Sequence, residues 1–155
     1  MSYLSLLAFS AGAAIAVQAV MNARLGVLLN SSMLGTGIAF LSACLVTVAA
    51  VLLSTRQYPQ LAEVRSVPVY LWFSGGALAA FGVGVFYYLI PKMGVGSMMS
   101  YALSGQILMA VVASHFGWFN QPVTPIGVIK IVGVIAFITG IVLINWEPGY
   151  APARG

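Results

Sequence analysis

The chain has 155 residues, of which 61% are hydrophobic and only 5% are charged, against about 25% charged residues in an ordinary soluble domain. A chain of this length cannot remove so much apolar surface from water by folding alone, which excludes a soluble domain and makes the lipid bilayer its expected surroundings. The net charge of +4 comes from scattered basic residues rather than from a clustered basic patch, so no nucleic-acid partner is expected.

Five apolar runs follow one another along the chain, each of the length that a helix needs to cross about 30 Å of hydrocarbon. Lipid cannot hydrogen-bond the backbone, so spanning segments must be helices or strands of closed barrels. The alternating apolar pattern of barrel strands is not found in this sequence. The sequence therefore predicts a single all-α transmembrane domain over residues 1–155, with helices at about 3–21, 32–53, 68–90, 94–115 and 124–145.

Basic residues are divided almost evenly between the two ends of these predicted helices. Five crossings place two basic residues on one side and three on the other: Arg56 and Arg65 against Arg24, Lys92 and Arg154. Lys130 can snorkel back to the first side and equalise the count. The positive-inside rule needs a bias to orient a chain. Two interpretations stay open: dual topology with antiparallel pairing, or one orientation set by a few residues or by a partner chain.

Two amides lie on one face of the first predicted helix. Gln18 and Asn22 are four residues apart, which places both on the same face. An amide at this depth is costly in lipid unless it hydrogen-bonds across helices or lines a wet cavity. A structural hydrogen bond and a contact with substrate are therefore both open interpretations.

The fourth predicted helix carries two separate polar features. A stripe of hydroxyl groups is formed by Ser97, Ser100, Tyr101 and Ser104. Gln106 points to nearly the opposite side. We expect one face to line a cavity and the other to pack against a helix, although serines also hydrogen-bond their own helix backbone.

A lysine, two stripes of small residues and a histidine are further notable features of the predicted helices. Lys130 is the one formal charge inside an apolar run, where it either attracts an anionic group, braces a carbonyl or snorkels to the interface. Small residues at intervals of three or four predict close helix packing on two helices: Gly76, Ala80 and Gly84, and Gly133, Ala136 and Gly140. His115, at a helix end, is expected to be an interface residue rather than a proton relay.

The sequence offers no set of residues for catalysis. It contains no Asp, no Glu lies inside a predicted helix, and Cys44 is the only cysteine. A Ser-His-Asp triad and a cysteine zinc site within one chain are therefore excluded. We predict a protein that is not an enzyme, with no catalytic residues, no metal site and no cofactor.

The order and spacing of several short motifs resembles the YdcZ-like family, the five-helix branch of the drug/metabolite transporter superfamily. The residues that carry the resemblance are Gly12, Gln18, Asn22 and Leu25, then Gly75 and Gly76, Pro91 to Gly94, Gly105 and Gln106, His115 to Gly117, and Lys130 with Gly133. One position departs from the pattern, because members commonly carry Asp where this chain has Ser114. A role of that Asp in coupling or gating would be lost here or taken by another group.

The resemblance implies a multi-pass secondary transporter of small solutes in the cell (inner) membrane. Larger relatives have ten helices, built as two inverted five-helix repeats around a midplane cavity. This chain would supply one half and pair with an inverted copy as an antiparallel homodimer, or with a homologue. The predicted substrate-binding residues are Gln18, Asn22, Tyr101, Ser104 and Gln106, with Lys130 as an outer contact. The alternative is a non-transporting subunit or scaffold of a hetero-oligomeric complex.

Overall fold

The computed structural model describes residues 2–54 and 58–146, and within these ranges the secondary structure is helical, without strands. The α-helices are α1 (Tyr3–Leu28), α2 (Ser32–Ser54), α3 (Leu61–Ser66), α4 (Val69–Met93), α5 (Val95–Phe116) and α6 (Val128–Ile144), and a 3-10 turn covers Trp118–Asn120. Four helices, namely α1, α2, α4 and α5, are long and apolar enough to cross a membrane, while α6 is an apolar helix of 17 residues. The predicted all-helical architecture is confirmed.

Two helices continue beyond their predicted ends. Helix α1 runs through Asn22 and Arg24 to Leu28 instead of stopping near residue 21, because neither side chain prevents helical backbone geometry. It ends at a turn in which Asn30 has a left-handed φ of 52° and the backbone N–H of Ser31 donates to the carbonyl of Gly26. Polar residues inside an apolar run therefore did not mark a helix end.

Helix α4 passes through Pro91 to Met93 instead of ending near residue 90. A proline so close to the end of a helix removes only one backbone hydrogen bond. The helix stops where Gly94 adopts a φ of 82°, which favours glycine, and donates its N–H to the carbonyl of Ile90.

Helix α6 begins at Val128, four residues later than predicted. Pro125 lacks a backbone N–H and disfavours helical geometry at Thr124. The preceding segment is therefore irregular, and Gly127 forms the helix N-cap without a side-chain hydrogen bond.

The chain divides into two compact units, Met1–Gly94 and Val95–Gly155. In unit 1, helices α1, α2 and α4 pack against one another in every pairing. Helices α1 and α2 approach most closely at two glycines: a Cβ atom at Gly35 would lie 3.0 Å from the Cα of Gly26. Ala19 and Ala23 are each only 1% exposed. Small residues thus let these backbones meet, as expected for helices in lipid.

The predicted stripes of small residues pack only in part. On α4, a Cβ at Gly84 would lie 3.3 Å from the sulfur of Met33, whereas one at Gly76 would have no neighbour within 4 Å. On α6, a Cβ at Gly133 or at Gly140 would also have no neighbour within 4 Å in the described chain. Helix α5 packs on α6, but it does not come within 4 Å of a Cβ at either glycine. The predicted close packing through Gly133 and Gly140 is therefore not seen in the described chain.

In unit 2, α5 and α6 form a helical hairpin. Gly117 turns the chain after α5 with a φ of 62°, and a Cβ there would lie 2.7 Å from a methyl carbon of Val123. The connection folds back onto α5 through a hydrogen bond from the Thr124 N–H to the carbonyl of Ser114 (2.9 Å). His115 Nδ1 accepts from the backbone N–H of Ile126 at 3.3 Å. His115 therefore helps to hold the connection in place.

Large apolar side chains cover the outside of the described helices. Leu53 and Ile129 are each 89% exposed, and only 6% of the most apolar stretch of each membrane-length helix is buried. Such a surface is stable only against lipid or other apolar partners. The fold is thus that of a membrane protein.

Candidate functional site

Three polar side chains from α1 and α4 form a hydrogen-bonded ring, which we call the amide–tyrosine cluster (Gln18, Asn22 and Tyr87). Asn22 Nδ2 donates to Gln18 Oε1 at 2.7 Å and to the Tyr87 hydroxyl at 2.9 Å. The Tyr87 hydroxyl donates in turn to Gln18 Oε1 at 3.2 Å. Each member thus contacts the other two, and two of the three hydrogen bonds cross between helices.

The local sequence explains why the cluster forms. Gln18 and Asn22 lie one helical turn apart on α1, and each is followed by a buried alanine, Ala19 or Ala23. Helices α1 and α4 pack against each other, and the Tyr87 hydroxyl reaches both amides across this contact. Tyr87 is 2% exposed, and a buried tyrosine hydroxyl requires a hydrogen-bond partner.

The cluster lies within two membrane-length helices of unit 1, α1 and α4. Helix α1 has 26 residues, and at 1.5 Å per residue Gln18 is about 4 Å from its middle. From Ala11 to Val17 the residues of α1 carry no polar side chain, whereas Asn22 and Arg24 follow Gln18 within two turns. An amide at that depth that is exposed rather than buried, as Gln18 is, requires a second polar partner or water.

The outward side of the cluster has unused hydrogen-bonding capacity. Within the described residues, Gln18 Nε2 donates no hydrogen bond and Asn22 Oδ1 accepts none. A primary amide carries two N–H donors and an acceptor oxygen. The cluster therefore presents donors and an acceptor, without formal charge, to whatever lies against this face of α1.

The predicted site residues of α5 belong to unit 2. Ser104 Oγ donates to the carbonyl of Ser100 at 2.9 Å, and Ser100 Oγ donates to the carbonyl of Gly96 at 2.8 Å. These hydroxyls are thus satisfied by their own helix. Tyr101 and Gln106 are exposed, and among the described residues neither side chain hydrogen-bonds another predicted site residue.

Lys130 folds back toward the start of its helix. Its ammonium donates to the carbonyl of Thr124 at 3.2 Å and to that of Pro125 at 3.5 Å. Of the three interpretations of this charge, the structure shows the brace on neighbouring carbonyls. Within the described chain, the Lys130 side chain makes no hydrogen bond to another predicted site residue.

Acidic and metal-binding groups are sparse in the part of the chain that the structure describes. Glu63 accepts a hydrogen bond from the backbone N–H of Gln60 (2.9 Å) and so caps α3. No group of three or more His, Cys, Asp or Glu side chains is close enough to hold a metal ion among the described residues. Glu147, Arg56 and Arg154 lie outside the described residues.

Tyr87 is the member of the cluster that the sequence analysis missed. It lies three residues after Gly84, so it continues the predicted stripe of small residues on the packed face of α4. A tyrosine hydroxyl within an apolar run, in register with such a stripe, is the signal that would have found it. The neighbouring Tyr88 lies four residues after Gly84 and meets the same sequence criterion, but it is 52% exposed, so only the structure distinguishes the two tyrosines.

Comparison with known proteins gives one finding about the family. A family model described as "Putative inner membrane exporter, YdcZ" matches residues 3–143. The match covers the five apolar segments, the amide–tyrosine cluster and Lys130. Comparison with curated proteins and with solved structures finds no match.

Proposed function

The chain belongs to the YdcZ family of inner membrane exporters, and from this premise we propose that it is a secondary transporter that binds a small polar solute at the amide–tyrosine cluster. Family membership supports transport across the inner membrane in general. The observation that carries the finer proposal is the exposed Gln18 amide near the middle of α1. The side-chain N–H groups of Gln18, which have no partner among the described residues, are stabilised when they line a cavity that admits a polar solute.

The chemistry of the cluster favours an uncharged or zwitterionic polar solute. Gln18 Nε2 offers N–H donors and Asn22 Oδ1 offers an acceptor. The Tyr87 hydroxyl hydrogen-bonds the other polar atom of each amide. Among the described residues no carboxylate lies within a membrane-length helix. Tyr101, Ser104 and Gln106, the further substrate-binding residues that the sequence predicts, lie on α5 of unit 2.

We further propose that two copies of the chain assemble in antiparallel orientation and alternate access by rocking one half against the other. A single chain has five apolar helices, and α6 with 17 residues is about 26 Å long, near the lower limit for a crossing. The Lys130 ammonium reaches toward the α5–α6 connection, which supports counting its charge with that side. The basic residues of the two sides are then three against three, a balance that favours insertion in both orientations.

Replacing the exposed amide tests the site. A thermal-shift screen of metabolites against the purified protein first identifies a ligand, and its flux is then measured in proteoliposomes. Gln18→Leu should leave expression and membrane insertion intact, because leucine is favoured in lipid. It should lower transport about tenfold or more, because a hydrogen bond to the solute is lost.

A matched control separates a site from a general effect of removing an amide. Gln121 is an exposed amide in the α5–α6 connection, and Gln121→Leu should transport like the wild-type chain. Unchanged flux in Gln18→Leu would show that Gln18 has a structural role only. No flux of any identified ligand in the wild-type chain would favour the second candidate, a non-transporting subunit, which the scarcity of membrane carboxylates also fits.

Orientation mapping tests the assembly separately from transport. A reporter fused after Gly155 should give signal from both sides of the membrane if the chain inserts both ways. Signal from one side alone would contradict the antiparallel homodimer. Pairing with an oppositely oriented homologue would then be the remaining form of the proposed assembly.

A further inference from the structure

Unit 2 contains a groove that the proposed transport site does not use. It lies between α5 and the first half of α6, has a volume of about 590 Å³, and its walls are mostly apolar. The residues that line it include Ile107, Pro125, Gly127, Lys130, Gly133 and Phe137. An open apolar groove beside a single cation is the shape and chemistry that suit an anionic amphiphile.

Among the described residues of unit 2, the positive charge at this groove has no negative partner. No Asp or Glu occurs between residues 95 and 146. The hydrogen bonds of the Lys130 ammonium go to two neutral carbonyls, at 3.2 Å and 3.5 Å, and an ammonium has three donors. The N-terminal end of α6 adds partial positive charge, and its N-cap Gly127 supplies no side-chain acceptor.

The groove begins at the N-terminal end of α6 and extends toward the middle of that helix. Lys130 is the third residue of α6, so it lies about 3 Å from the start of the helix. Trp118, in the connection that precedes α6, is 42% exposed, as tryptophans at the membrane interface commonly are. From Lys130 to Phe137 the groove follows α6 for about 10 Å toward the middle of the helix.

The floor of the groove is open for a chain. A Cβ atom added at Gly127 or at Gly133 would have no neighbour within 4 Å. The space above these glycines is therefore not filled by the described residues.

From these observations we infer that the groove binds an anionic phospholipid, with the phosphate on the Lys130 ammonium and one acyl chain along Gly133 and Phe137. A soluble phosphate would offer Lys130 the same anionic group as the lipid headgroup. Only a lipid would also cover the apolar walls of the groove. This inference does not depend on transport, and it assigns Lys130 to a lipid rather than to the solute.

Native mass spectrometry of the full chain tests the inference. Detergent-solubilised protein is titrated with phosphatidylglycerol or with phosphatidylcholine of the same acyl chains. Wild-type protein should bind one phosphatidylglycerol more tightly than phosphatidylcholine. Lys130→Gln should weaken phosphatidylglycerol binding about fivefold, the effect of one basic residue at an anionic membrane surface, and leave phosphatidylcholine binding unchanged.

Three variants and one competitor sharpen the result. Lys92→Gln removes the other lysine, whose ammonium lies 4.3 Å from the ring centroid of Tyr88, and should bind like wild type. Lys130→Arg keeps the charge and should also bind. Gly133→Leu fills the groove while retaining Lys130 and should lose the lipid. Glycerol 3-phosphate at the same concentration should not displace the lipid, because it has no acyl chain.

Three results would overturn the inference. They are equal binding of phosphatidylglycerol by wild type and Lys130→Gln, equal binding of the two lipids by wild type, and displacement by glycerol 3-phosphate, which would indicate a plain anion site. If Lys130→Gln is not recovered folded, Gly133→Leu decides the question: retained phosphatidylglycerol in that variant contradicts the lipid groove.

Discussion

Among the described residues, side-chain hydrogen bonds between two long helices are found in unit 1 and not in unit 2, although hydroxyls of both units, such as those of Thr47 and Ser104, also bond their own helix. In unit 1, Asn22 and Gln18 of α1 hydrogen-bond Tyr87 of α4, across two helices that are distant in sequence. In unit 2, Ser100 and Ser104 donate to carbonyls of their own helix. The amide–tyrosine cluster of unit 1 therefore joins two helices, whereas these hydroxyls of unit 2 contact only α5.

The same difference is found in the glycines. Gly26 and Gly35 of unit 1 are needed for the contact between two backbones, whereas Gly133 and Gly140 of α6 have open space where a Cβ would lie. In lipid, helices associate through close packing and interhelical hydrogen bonds rather than through the hydrophobic effect. Unit 1 uses both, and the open face of α6 is left for lipid or for a second chain.

The largest expected effect comes from a methyl group at the α1–α2 contact. A Cβ at Gly35 would lie 3.0 Å from the N and Cα of Gly26 and 3.2 Å from the carbonyl oxygen of Asn22. These are backbone atoms, which do not move aside at low cost. Gly35→Ala should therefore lower the free energy of unfolding by about 1–3 kcal/mol, measured by thermal or denaturant unfolding in detergent.

Two further glycines serve as controls for this prediction. Gly37 lies on the same helix and Gly140 lies in unit 2, and neither would place a Cβ within 4 Å of another atom. Gly37→Ala and Gly140→Ala should be neutral or stabilising by up to about 1 kcal/mol, since alanine favours a helix. If Gly140→Ala lowered the free energy of unfolding as much as Gly35→Ala, the difference in glycine packing between the two units would be contradicted.

A smaller effect is expected when the hydroxyl that joins α1 and α4 is removed. Tyr87→Phe keeps the buried ring but deletes two interhelical hydrogen bonds. Asn22 and Gln18 still bond each other, so neither amide loses every partner. The variant should lose about 0.6–1.7 kcal/mol of stability, the range for such bonds in membranes.

Tyr88→Phe is the matched control, because it removes a hydroxyl from the adjacent residue without touching the cluster. Tyr88 is exposed and its ring contacts the Lys92 ammonium, an interaction that phenylalanine retains. Equal stability losses in the two variants would show that the cluster does not join the helices. The same pair, assayed for flux, distinguishes a structural tyrosine from one that also positions Gln18.

Part of the site followed from local periodicity and part did not. The pairing of Gln18 with Asn22 was predictable, because residues four apart on a helix always share a face. Tyr87 was not, because Tyr87 and Tyr88 are chemically identical and only contact with α1 distinguishes them. For the same reason the sequence did not separate Gly84, which packs, from Gly76, which does not.

By itself, the sequence determined that this protein is a helical membrane protein, since long apolar runs in lipid must satisfy their backbone within each segment. The tertiary structure decided which faces of those helices meet. A helix that is apolar on all sides has no polar face to indicate which side is buried. The packing partner of each face therefore depends on the neighbouring helix, through a few glycines and one tyrosine hydroxyl.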